Sequence, residues 1–190
     1  VRLSLGARTG PGVSWWAGRD ANDDQTRSSS KIGFHLAAFA TTEITSWFSV
    51  QSELMFVTKG VNTELVQAAT SGHITISYFE IPVLARVAYR HRAFEPFVVV
   101  GPALGIVTAC SSELAGDVGD CRDTSKTFDP GIVLGAGIAI SLPWEDALVL
   151  DVRYDMSLVS RSSRTPEPDL RNRAVLFSIG YSHRLGVNGH

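Results

Sequence analysis

The stretch Ser77–Ala88, SYFEIPVLARVA, alternates with a period of two. Phe79, Ile81, Val83, Ala85 and Val87 make an unbroken apolar row, and Glu80, Pro82 and Arg86 share the opposite row. That spacing describes a β-strand with two unlike faces. In a water-soluble sheet the apolar row would rest on a core. In a membrane barrel it faces lipid, and the carboxylate and guanidinium look into a lumen. The choice between these orientations decides the fold.

Composition narrows the choice. A chain of 190 residues fits one domain with a sizeable core. A net charge of −2 gives no electrostatic case for nucleic acid. Only 19% of residues are charged, low for a soluble domain. The longest apolar run, Phe97 to Ala109, is broken by Gly101, Pro102 and Gly105, short of the ~20 residues a spanning helix needs. A membrane barrel stays open because its signal is weak per segment. The start, VRLSLGARTG, has no signal-peptide pattern, so any such peptide is expected to be absent from this chain.

The same alternation recurs along the chain. Strand one opens at Val1, Leu3, Leu5 and Ala7 against Arg2, Ser4 and Arg8, and continues to about Trp16. A polar loop, residues 18–31, precedes strand two (32–41), with Ile32, Phe34, Leu36 and Ala38 on one face and His35 on the other. Strand three (46–59) sets Phe48, Val50, Leu54 and Phe56 against Ser49, Gln51, Glu53 and Lys59, the latter face including Trp47, Met55 and Val57. A loop at 60–72 leads to strand four, and a brief turn, RHRAF, to strand five (94–108). After a loop containing both cysteines come strand six (127–141), a tight turn at 143–146 and strand seven (147–160). A loop at 161–170 precedes strand eight (171–185).

The fold class is therefore all-β, an eight-stranded antiparallel up-and-down transmembrane β-barrel over residues 1–185, followed by a tail, 186–190. Its connections alternate between long and short, as they do where external loops are long and periplasmic turns short. Eight strands leave only enough interior for side chains. Glycines at 101, 105, 131, 135, 137 and 180 make room there for bulky groups. Charges in so narrow a lumen must pair, because an unpaired buried charge is very costly. The expected lumen network is Glu53, Glu80, Arg86, Asp151, Arg153 and Asp155. The strand-end aromatics Trp15, Trp16, Trp47, Tyr89, Phe94 and Trp144 are expected to form belts at the two membrane interfaces. Ordinary core or turn aromatics are the alternative.

Cys110 and Cys121 lie in a stretch rich in Ser, Gly and Asp, with no His nearby and too few ligands for a metal site. An even pair in a loop reads as a disulfide formed in an oxidising compartment, against the alternative of two reduced thiols.

Three pieces, ELMFVTKG (53–60), YFEIPVLARVAY (78–89) and PFVVVGPALGIV (96–107), resemble bacterial outer-membrane β-barrel domains of the PorT-like, OmpX-sized class. GIVLGAGIAI, LDVRYDMSL and RNRAVLFSIGYSHRL look like the closing three strands of that class. The resemblance runs from about Ile32 to Leu185, and its most specific pieces are the EIP strand and the GP pair. One departure is the end, where Leu185 is followed by GVNGH rather than a terminal aromatic. That end is either a processing remnant or a degenerate insertion signal. The resemblance implies a place in the bacterial outer membrane and contact with its lipid, but no reaction. Long external loops would carry partner recognition, with other envelope proteins as the partners.

Candidate chemistry is sparse. His73 beside serines suggests a lipid-modifying hydrolase, but no spacing requires a Ser–His–acid set. Glu80 with Glu53 suggests paired glycosidic acids, but lumen ion pairs with Arg86 and Arg153 account for them better. GPALG and GAGIA lie inside strands with no following helix, so they fail the context test for phosphate loops. Asp20, Asp23, Asp24, Glu113, Asp117, Asp120 and Asp123 make acidic loops that match no complete calcium loop. No enzyme, metal site or cofactor is expected. The expected function is a structural, anchoring or docking component with a plugged lumen. A soluble lipocalin-like barrel binding an apolar ligand is the first alternative, and a narrow channel or transport component the second.

Overall fold

Period-two alternation produces eight long strands in the computed structural model, which describes residues 2–17, 22–23, 26–65, 70–91, 93–114, 117–120, 128–159 and 171–185. The wall comprises β1 (Arg2–Ala17), β2 (Thr26–Glu43), β3 (Phe48–Leu65) and β4 (Thr70–Ala88), then β5 (Phe94–Leu114), β6 (Phe128–Ser141), β7 (Asp146–Ser157) and β8 (Arg171–Leu185). Two short strands, Asn22–Asp23 and Asp117–Asp120, attach to β2 and β5. Each wall strand pairs antiparallel with the next, and β1 pairs with both β2 and β8, which closes the barrel. Closure leaves no open sheet edge, the condition for a sheet to cross hydrocarbon.

The strands β2 to β5 run further than their apolar rows. Residues 60–65 and 70–72, read as loop, belong to β3 and β4, which pair from Gly60↔Thr75 to Leu65↔Thr70. The sequence there carries no unbroken apolar row, while the backbone ladder continues. The expected contrast between long and short connections is correspondingly weaker at this hairpin.

Prolines interrupt the ladder, because they bring no N–H. On β1 the pairing with β8 lapses at Gly10–Pro11, between Thr9↔Ile179 and Gly12↔Leu176. Between β4 and β5 it lapses opposite Gly101–Pro102, between Pro82↔Ala103 and Ala85↔Val100.

The apolar rows face outward. Ile32, Phe34, Leu36, Leu54, Phe79, Ile81, Val83, Val98, Val100, Leu134, Val152, Phe177 and Ile179 are all exposed. The opposite rows bury Arg8, His35, Glu53, Lys59, Glu80, Asp151, Arg153 and Asp155. This inside-out distribution rules out the soluble lipocalin-like orientation, whose apolar rows would point inward. Two apolar clusters interleave with the charges in the interior: Met55, Val57, Ile76, Tyr78 and Leu176 in one, Phe39, Leu84, Phe97, Val99 and Val133 in the other.

The short connections 44–47, 89–93 and 142–145 share one end with both termini of the wall. In the last of these, Trp144 and Glu145 adopt left-handed backbone conformations, with φ of 62° and 65°.

Candidate functional site

Three inward-facing strands supply the central charges. Arg8 on β1 lies 2.5 Å from Glu53 on β3 and 3.1 Å from Asp151 on β7. Arg153 on β7 lies 2.8 Å from the other Glu53 oxygen and 3.1 Å from Asp151. The four form a closed ring of two guanidiniums and two carboxylates, with side chains at most 1% exposed. Gln51 adds a donor to Glu53 at 2.6 Å. Small residues make this bulk fit: a Cβ on Gly180 would come within 2.7 Å of Arg8. The Gly135 site stands in the same relation to Arg153.

Lys59, one step further toward the long-loop end, sits 2.6 Å from both Glu80 and Asp155. Its ammonium also lies 5.3 Å from the centre of the Tyr78 ring, and Asn172 donates to the Tyr78 hydroxyl at 2.8 Å. Asp129 and Ser157 are hydrogen-bonded at the same level. His35 and Ser178 are 3.0 Å apart beside the central ring.

At the short-turn end, Arg86 pairs with Glu95 at 2.9 Å and covers the Phe97 ring at 4.2 Å. Arg90 bridges Glu43 and Glu95 at 2.5 and 2.7 Å. Arg184 bridges Glu43 and Glu145 at 3.5 and 3.2 Å. A cup of about 70 Å³ opens among these groups and ends at Gln51 and Asp151.

Five of the six charges expected in the lumen thus fall into two buried clusters, Glu53, Asp151 and Arg153 in one and Glu80 and Asp155 in the other. Arg86 stands apart from Glu80 and belongs to the rim. Arg8 and Lys59, seen in the sequence only as polar-face residues, supply the cations that hold each cluster together. The expected role of glycines also differs at Gly101, whose Cβ would strike the Val83 backbone oxygen at 2.1 Å rather than a charged side chain.

Trp47, Tyr89, Phe94 and Trp144 are exposed around the short-turn end. Trp15 lies at the other end with its ring 6.3 Å from Tyr154. Trp16 departs from the belt expectation: it follows the inward parity of Gly12 and Ser14, and its indole nitrogen is buried. Cys110 is buried and is not a free thiol; Cys121 lies outside the described residues. The side chains of His73 and of the seven acidic loop residues also lie outside them. Among the described residues no cluster of His, Cys, Asp and Glu is arranged to hold a metal ion.

The sequence profile of the family described as "Outer membrane protein beta-barrel domain" matches residues 2–161. The chain belongs to that family. Its place is the bacterial outer membrane, and the outward apolar rows contact its lipid. The outer membrane protein OprG from Pseudomonas aeruginosa superposes on this barrel with a TM-score of 0.61, at 13% identity over 97% of this chain and 96% of that one. Neisserial surface protein A superposes with a TM-score of 0.58, at 13% identity over 96% of this chain and 97% of that one. At such identities the likeness shows the fold alone. A search of curated proteins by sequence gave no match.

Proposed function

We propose that this outer-membrane barrel is a structural, anchoring or docking component, with its lumen closed by ion pairs and its external loops left to bind other envelope proteins. The observation that carries the reading is the Arg8–Glu53–Arg153–Asp151 ring, which spends its charges on one another across the lumen. A conducting path needs polar groups that face water, and these are turned inward on each other. The barrel domain in this reading spans 1–185 with 186–190 as a tail, and Cys110 is bridged to Cys121, bracing the loop after β5.

Non-enzymatic action fits the same geometry. The His35–Ser178 pair lacks the third member of a triad, since His35 Nδ1 has no hydrogen-bond partner among the described residues. The pair is also buried, away from any substrate.

Docking is tested by placing a photo-crosslinking residue singly in the connections 18–25 and 160–170, and at Val152 and Phe177 on the lipid wall, in cells. Discrete protein adducts from the loop positions and none from the wall are expected. Adducts from no loop position would contradict the docking role.

A further inference from the structure

The Lys59 cluster is out of balance. One ammonium lies 2.6 Å from each of two carboxyl groups, Glu80 and Asp155, and all three side chains are at most 5% exposed. If every group were ionised, one negative charge would be buried without a counter-charge, which a low-dielectric interior penalises heavily.

Among the described residues, the surrounding walls bring no second cation to the trio. Arg8 and Arg153 are committed to Glu53 and Asp151. Tyr78, on the same strand as Glu80, offers its ring to Lys59 and its hydroxyl to Asn172. Asp129 on β6 is another acid, hydrogen-bonded to Ser157, and meets Glu80 across the space left by Gly105. His35 on β2 engages Ser178 on β8. One further observation bears on Glu80 itself. Its Oε2 is buried with no hydrogen-bond partner among the described residues. A protonated carboxyl brings the trio to neutrality, so one added proton resolves the charge imbalance.

We propose that the Lys59–Glu80–Asp155 trio is a proton-binding site, holding one proton between its two carboxyl groups at neutral pH. The unfolded chain leaves both carboxyls ionised at that pH, so folding takes up one proton from water. The folded state then holds one more proton than the unfolded one. The site stands whether or not the loops bind a partner.

The test is to refold the full chain from urea into detergent micelles, in weakly buffered solution near pH 7, and to count protons taken up per chain. Wild type is compared with Glu80→Gln and Asp155→Asn, each an isostere of the protonated acid. Wild type should take up one proton more than either variant and show a protonated-acid carbonyl band in the infrared that both variants lose. Equal uptake by all three proteins would overturn the proposal, as would uptake replaced by a sodium-dependent step. Failure of both amide variants to refold would also overturn it, because an amide should suit a site built for a neutral carboxyl.

Discussion

Arg153 on β7 reaches across the lumen to Glu53 on β3 at 2.8 Å, and Arg8 closes the same ring from β1. Removing one member leaves the others buried without compensation. Arg8→Met should therefore lower stability by about 3–5 kcal/mol, the usual cost of breaking a buried pair. Replacing all four charges with apolar residues of similar volume should cost much less. Equilibrium urea unfolding in detergent checks both; an Arg8→Met barrel as stable as wild type would contradict the ring's role.

The outer wall follows a different rule. Val152 is exposed on β7 and faces lipid, while its neighbour Arg153 is buried in the lumen. Val152→Arg should destabilise the bilayer-refolded barrel by about 2–4 kcal/mol if it lies near the midplane, and by less toward either interface. The same substitution in a water-soluble barrel would be nearly neutral at so exposed a position. Unfolding in lipid vesicles gives the comparison.

The proposed bridge between Cys110 and Cys121 predicts that denatured, unreduced protein takes up no thiol reagent. After reduction it should take up two equivalents per chain, read by mass. Closing so short a loop should contribute about 3 kcal/mol in the chain-entropy account, so the double alanine variant should unfold at lower urea. Labelling without reductant would contradict the bridge.

At the short-turn rim, the hydroxyl of Tyr181 and then the ring of His183, 2.7 Å away, hold the Asp146 carboxyl below its ordinary value of 3.8. The sign follows from a depressed folded pKa. The stabilisation is complete above the ordinary value and is lost as pH falls below it through the folded one. Asp146→Asn should lower stability slightly at neutral pH, leave it alike at the acid end, and so flatten the acid limb of a stability–pH curve below about 4. An identical acid limb in the variant would contradict this linkage.

The wall was legible because two solvents act on one strand. Lipid selects Phe79, Ile81 and Val83 on alternate positions, and the lumen selects Glu80, so the period of two survives in the sequence. The clusters were only partly legible. Which cation meets which carboxylate depends on how β1, β3 and β7 face one another across the barrel, and no local spacing encodes that. Arg8 and Lys59 were visible as inward residues but not as the centres of their clusters, and Arg86 was drawn toward Glu80 when Glu95 stands nearer. Trp16 was misread because its position at a strand end outweighed its parity with Ser14. The reach of β3 and β4 was missed where residues 60–65 and 70–72 leave the apolar pattern but keep the ladder.

Electrical conductance across a planar bilayer tests the closed lumen most directly. With the Arg8–Glu53–Arg153–Asp151 ring intact, inserted barrels should hold the baseline with no unitary steps, and Arg8→Ala should introduce them. Steady ohmic steps from the wild-type barrel would contradict a lumen closed by its own ion pairs.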